Sequence, residues 1–193
     1  MTTHAEFFAQ SLKAHHDALE ATFAAHGDIW AQVASRMAQA LGEGHTILFC
    51  GNGGSACDAM HIAGEFVGRF VGNRKALPAI ALSADSGMLT AIGNDFGFDE
   101  VFSRQVEAYG RKGGMLFAMS TSGTSPNVVK ALQAARALGM YNVLLTGEKG
   151  RHAELPVEAK IVVPSTVTAR VQEAHIVLLH TLASLVEREM GLG

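Results

Sequence analysis

Cysteine is nearly missing from this 193-residue chain: there are two, Cys50 and Cys57, seven positions apart. That spacing builds neither a disulfide framework nor a zinc ribbon, so the expected setting is a reducing cytoplasm. Charge excess is missing too. The 15 Lys and Arg against 18 Asp and Glu leave a net −3, which gives no reason to expect a nucleic-acid-binding surface. No stretch is long and apolar enough to suggest a membrane span, and the start Met1-Thr2-Thr3-His4-Ala5-Glu6 lacks the basic-then-apolar order of a signal peptide. No internal repeat, low-complexity tract or linker divides the sequence. What is present is 48% hydrophobic residues, enough for a sizeable core and against disorder. The length suits one domain.

The apolar pattern switches repeatedly between two periods. Residues from about Ala5 to Gly44 predict two helices broken near Gly27-Asp28. Phe7, Phe8, Leu12, Leu19 and Phe23 form one stripe, and Ile29, Val33, Met37 and Leu41 another, with Asp28 as N-cap of the second. Such an arm, over 1–44, needs its apolar face covered by the same domain or by another copy of the chain. The main body over 45–193 alternates strands and helices. Strands are expected at Thr46–Cys50, Ala79–Leu82, Met115–Met119, Tyr141–Leu145 and Ile161–Val163. Helices are expected at Ala56–Phe70, Ser86–Gly93, Phe98–Tyr109, Val128–Arg136 and Thr168–Met190, with a polar turn at Asn94–Gly97. This alternation predicts an α/β three-layer sandwich, a central parallel sheet flanked by helices, with the N-terminal helical arm added to it.

Two loops stand where strands run into helices. Ser120-Thr121-Ser122-Gly123-Thr124-Ser125-Pro126-Asn127 offers five hydroxyls, with Ser125 suited to an N-cap and Pro126 to the first helical position. Free amides and the macrodipole at such an end favour an anion. Two readings stand: a cradle for the phosphate of a small molecule, or a turn that caps its helix. The loop is not a P-loop, because the Gly-Lys-Ser/Thr ending is absent. Gly51-Asn52-Gly53-Gly54-Ser55 permits close ligand approach but lacks the Gly-x-Gly-x-x-Gly spacing of dinucleotide sites.

Titratable candidates lie on two helices. His61 and Glu65, four apart, project from one face as either solvated surface or a metal or catalytic pair. On the final helix Gln172 and His180 are eight apart, ~80° around the axis, with Glu173 and His175 on other faces. His180, in the run Val177-Leu178-Leu179-His180-Thr181-Leu182, reads as a packed histidine bonded to a carbonyl or as a residue facing a site. Cys57 reads as a small packed residue before a reactive thiol. The basic residues Arg69, Arg74, Lys75, Arg104, Arg111 and Lys112 are scattered, and none is assigned to a phosphate.

Taken together, Gly51–Ser55, His61 with Gly64-Glu65-Phe66, Leu89–Asp95, Phe102–Val106, Ser120–Gly123 with Ser125–Asn127, and Gln172-Glu173 with His175 and His180 resemble, in order and spacing, the sugar isomerase (SIS) domain proteins. Within them the resemblance is closest to the phosphoheptose isomerases, which convert sedoheptulose 7-phosphate to an aldose heptose 7-phosphate. The resemblance implies the SIS fold. It also implies a phosphate site at Ser120, Thr121, Ser122 and Ser125, and sugar contacts from Asn52, Gly53, Gly54, Ser55, Asn94 and Asp95, with Glu65 and Gln172 also against the substrate. It makes Glu65 and His180 the catalytic pair and His61, Glu65, Gln172 and His180 the ligands of one zinc per subunit. It further implies a cytoplasmic homotetramer with active sites at subunit contacts, an arrangement that would let His180 come from a different copy than Glu65.

The reaction so implied is aldose–ketose isomerisation through an enediolate, feeding heptose and lipopolysaccharide precursors. A proton leaves C1 and one returns to C2, work that a carboxylate and an imidazole on opposite sides of the sugar can share. The competing reading is a non-enzymatic SIS-domain protein that binds a phosphosugar or a replication initiator; such relatives lack the Glu and His matching Glu65 and His180. A third is an isomerase or lyase for another phosphosugar.

Overall fold

The computed structural model describes residues 2–192. Five strands, β1 (Ile47–Gly51), β2 (Ala79–Ala81), β3 (Met115–Ser120), β4 (Tyr141–Gly147) and β5 (Ala159–Val163), form one parallel sheet in the order β2-β1-β3-β4-β5. Nearly every strand residue is buried, as expected where helices cover both faces. Alternate residues of each strand serve opposite faces. Ile47, Phe49, Met115, Phe117, Val143 and Leu145 join one core cluster, while Leu48, Cys50, Leu116, Ala118 and Leu144 join the other.

The first cluster is covered by α1 (His4–Gly42), α2 (Gly54–Val67) and α6 (Thr168–Glu189). The second is covered by α4 (Ser103–Tyr109) and α5 (Pro126–Ala137), with Leu89 and Ile92 of α3 (Ser86–Phe96) at its margin. The arrangement is the expected three-layer α/β/α sandwich.

The N-terminal arm differs from expectation. It is one 39-residue helix with no break at Gly27-Asp28, and Asp28 caps nothing because it lies inside the helix. A glycine inside a helix costs about 1 kcal/mol relative to alanine. Burial on both sides outweighs that: Ala18 and Thr22 before it, Trp30, Val33 and Met37 after it. The left-handed glycine comes at Gly44 (φ 82°), just past the helix end. The last half of α1 packs in the main core and the first half does not, leaving Phe7, Phe8 and Leu12 63, 71 and 67% exposed.

Other boundaries shift for local reasons. α2 ends at Val67, not Phe70, because the chain then bends to bring the Phe70, Val71 and Gly72 amides onto Glu187. α3 runs on to Phe96, so Asn94 and Asp95 belong to its last turn. The expected Phe98–Tyr109 helix is a 3-10 turn at Phe98–Glu100 followed by α4.

Candidate active site

The strand order creates the cleft. From β1 the chain moves outward to β2, returns past β1 to β3, and then builds in the opposite direction. The connections leaving β1 and β3 therefore diverge, and a crevice opens at the carboxyl ends of these neighbours, where ligands bind in open α/β sheets. Both loops singled out in the sequence lie at that edge. Asn52, after β1, and Asn127, in the first turn of α5, exchange two amide hydrogen bonds, each of 2.9 Å. The side chain of Asn52 thus ties the two loops together.

In the hydroxyl-rich loop, Ser120 Oγ lies 3.1 Å from Ser125 Oγ and 3.5 Å from Ser122 Oγ. The Gly123 amide donates to Ser120 Oγ over 3.2 Å, in a turn made by Gly123 at φ 69°. Ser125 occupies the N-cap position with Pro126 after it, but its hydroxyl turns to Ser120 and makes no capping bond. The first turn of α5 keeps its dipole open toward the serine cluster. The loop is braced from behind by β4: Thr146 Oγ1 donates to the Ser120 carbonyl over 2.7 Å, and the Gly147 amide to the Thr121 carbonyl over 3.2 Å.

The second feature joins residues distant in sequence. His61 Nε2 and His180 Nε2 stand 2.9 Å apart, across 119 positions. His61 Nε2 is 3.4 Å from Glu65 Oε1, and the donor atoms of His61, Glu65 and His180 all lie within 4.8 Å of one another. The His180 ring is half-buried, stacked on Phe70 with centroids 5.4 Å apart, and turned toward His61. One chain supplies all three groups, so no second copy is needed to unite Glu65 with His180.

This set fits a zinc ion. Two imidazole nitrogens and a carboxylate are ordinary zinc donors, and tetrahedral coordination at ~2.0–2.1 Å separates its donors by roughly 3.3 Å. The observed 2.9 and 3.4 Å spacings come within tenths of that.

Gln172 approaches from above α2: a Cβ on Gly54 would sit 2.6 Å from its Nε2 and 2.7 Å from its Oε1. With glycine there the Gln172 amide lies against the start of α2, and a side chain at position 54 would push it aside. Gly53, at φ 55°, and Ser55, buried, complete the turn. Asn94 and Asp95 are exposed and bond to each other over 2.8 Å; among the described residues no hydrogen bond joins them to the trio. Cys57 is exposed and not packed, since it lies two residues from buried Ala59, about 200° around the helix.

Asp58 escaped the sequence reading. It precedes His61 by three positions and Glu65 by seven, on the same stripe of α2, and that spacing was the available signal. One carboxylate oxygen is buried without a partner, and burial, opposed by nearby His61, pushes its pKa up to about 6. His175, on α6, is fully buried with neither ring nitrogen partnered. Burial, opposed only by the Thr146 backbone, takes its pKa down to about 4.

Comparison with known proteins agrees with this fold. Residues 8–147 match the family model described as the SIS domain. A phosphoheptose isomerase of Akkermansia muciniphila is 45% identical over 188 residues, 97% of this chain and 99% of the relative. The solved phosphoheptose isomerase of Neisseria gonorrhoeae is 40% identical with a TM-score of 0.88, over 96% of this chain and 100% of that one. The Francisella tularensis phosphoheptose isomerase is 31% identical, also with a TM-score of 0.88, over 97% and 100%.

Proposed function

Because this chain belongs to the phosphoheptose isomerase family of SIS-domain proteins, we propose that it converts sedoheptulose 7-phosphate to D-glycero-D-manno-heptose 7-phosphate. The chain is a phosphosugar isomerase. The observation that carries the reading is the convergence of His61, Glu65 and His180, in a chain whose serine loop leaves β3, the neighbour of the strand that leads into α2.

The substrate's phosphate sits among Ser120, Thr121, Ser122 and Ser125, held by hydroxyls and the open end of α5. Its sugar chain lies along Asn52, Gly53, Gly54 and Ser55, with Gln172 over the glycines and Asn94 and Asp95 contributing from α3. Glu65 takes the proton from C1 of the ketose, leaving an enediolate. His180 is the partner acid that gives the proton returning to C2, while the O1 hydroxyl proton passes to O2 so that the carbonyl forms at C1, and the proton held by Glu65 restores His180. His61, Glu65, Gln172 and His180 would hold one zinc per subunit, and zinc bound there would polarise the sugar carbonyl. Glu65 Oε1 lies on the His61 side, which leaves Oε2 for the carbon-bound proton.

We place the protein in the cytoplasm, making precursors of heptose-containing glycans such as lipopolysaccharide. We read it as a homotetramer with active sites near subunit contacts. Supporting that, Phe7, Phe8 and Leu12 are left open on α1, and burying such a stripe is worth about 1.5–3 kcal/mol per side chain. No helix is long and apolar enough to cross a membrane among the described residues, and net charge gives no nucleic-acid surface. The non-enzymatic reading is disfavoured, since both Glu65 and His180 are present and together.

The test is an assay for an aldoheptose phosphate from sedoheptulose 7-phosphate, on metal-stripped and zinc-restored protein. Glu65→Gln and His180→Gln should each abolish turnover with the circular dichroism spectrum unchanged. Wild-type turnover in either variant would overturn the assignment, and no product from the wild type would move the chain to another phosphosugar.

A further inference from the structure

Below the catalytic trio lies a buried ion pair that nothing in the proposed chemistry uses. Arg74 Nε and Glu187 Oε1 are 2.7 Å apart, with their side chains 1 and 3% exposed. Glu187, on α6 two turns beyond His180, accepts from three successive amides, Phe70, Val71 and Gly72, at 3.2, 3.1 and 3.0 Å. Burial works to raise its pKa, but those amides and the guanidinium together hold it below the ordinary carboxylate value.

Arg74 spends its other donors on the end of α2. Its Nη2 donates to the Glu65 carbonyl over 2.8 Å and its Nη1 to the Phe66 carbonyl over 2.9 Å. These are the last-turn carbonyls that a helix leaves unpaired, and one belongs to a member of the trio. Between the two ends of this bridge lies Phe70. Its amide is fixed by Glu187 and its ring lies against His180, 24° from parallel.

A buried ion pair is weak evidence for stability, since well-packed apolar side chains often serve equally well. What this pair does that apolar residues could not is join the backbone of the helix carrying His61 and Glu65 to the helix carrying His180. We propose that Arg74 and Glu187 are positioning residues, a clamp that sets α2 against α6 and presses Phe70 onto His180 so that its imidazole meets Glu65 and His61. The role rests on the isomerase reading, because it gives the trio its purpose.

The experiment compares wild type with Arg74→Lys and Phe70→Leu. Lysine keeps the buried charge pair, so the fold should survive, but one ammonium cannot reach the carboxylate and both helix carbonyls with a guanidinium's planar fork. Leucine removes the ring without touching the clamp. Both variants should lose roughly 10–100-fold in kcat with KM within about twofold, the signature of misplaced reacting groups. In metal-free protein, the His180 ring protons, assigned by their loss in His180→Gln, should resonate upfield in the wild type and move downfield in both variants. A role confined to scaffolding would lower the melting temperature of Arg74→Lys yet leave its kcat and the His180 resonance at wild-type values, and that result overturns the proposal. A wild type without isomerase activity would instead sink the functional reading, and the resonance alone would still decide whether the clamp orders His180.

Discussion

Replacing His175 with leucine should make the protein less sensitive to acid, and the size of the effect follows from burial. In the unfolded chain this histidine titrates near its ordinary value, about 6.5. In the native state it is fully buried, neither nitrogen has a partner, and it titrates near 4. Above pH 6.5 both states carry it neutral, and it contributes no pH dependence. Between 6.5 and 4 the unfolded chain binds a proton that the native state refuses, so stability falls as pH falls. At about 1.4 kcal/mol per pH unit, the loss approaches 3 kcal/mol by the lower end of that window.

Asp58 works the other way in an overlapping window. Its native pKa of about 6 is above its unfolded value, so its contribution to stability rises as pH falls from 6 toward 4, reduced by partial solvent screening. A wild-type profile alone would mix the two. The difference between wild type and His175→Leu cancels Asp58 and every other shared group. Urea unfolding followed by Trp30, the single tryptophan and buried, would be measured at pH 7.5, 6.5, 5.5 and 4.5. Protein concentration is held fixed, because association between copies would contribute to apparent stability. The wild type should lose between 2 and 3 kcal/mol more than the variant by pH 4.5. Near pH 7.5 the variant should match or exceed the wild type, since leucine removes two unpaired buried nitrogens. Parallel pH profiles would refute the reasoning and mean that native His175 binds its proton as readily as the unfolded chain.

Two further substitutions probe the cleft. Gly54→Ala puts a Cβ within 2.6–2.8 Å of the Gln172 amide; that flexible end can yield, so stability should change by less than about 1 kcal/mol while kcat/KM for the heptose phosphate falls at least ~10-fold, measured by progress-curve assay beside thermal melts. Asn52→Ala strands Nδ2 of the buried Asn127, whose Oδ1 keeps the Val128 amide, and should cost about 1–3 kcal/mol in denaturant unfolding, with weaker phosphosugar binding by calorimetry because the two loops lose their tie.

Much of the fold was legible because strands and helices announce themselves locally. The runs at Ile47, Met115 and Tyr141 are buried almost throughout and mostly apolar, as strands covered on both faces must be, with Asn142 and Thr146 as buried polar exceptions. Glycine misled at Gly27, where local propensity suggested a break and the burial of Trp30, Val33 and Met37 carried the helix through. Ser125 shows the same limit on a smaller scale. Its N-cap position was readable, but its hydroxyl chose the Ser120 side chain over the helix amides, a choice set by the neighbouring loop. Asp58 shares a helix stripe with His61 and Glu65 in the sequence, but that one of its carboxylate oxygens is buried depends on the packing around α2.

By itself the sequence determined the alternating elements, the hydroxyl loop leading into α5, and the pairing of His61 with Glu65, since each depends on residues a few positions apart. Only the tertiary structure decided that His180 meets them in the same chain, that Asn52 is held by Asn127, and that Arg74 reaches Glu187 across 113 positions. Periodicity says which face of a helix is apolar. Which other helix lies beside it is settled by burying all those faces at once on the sheet, a condition on the whole chain that no short stretch contains.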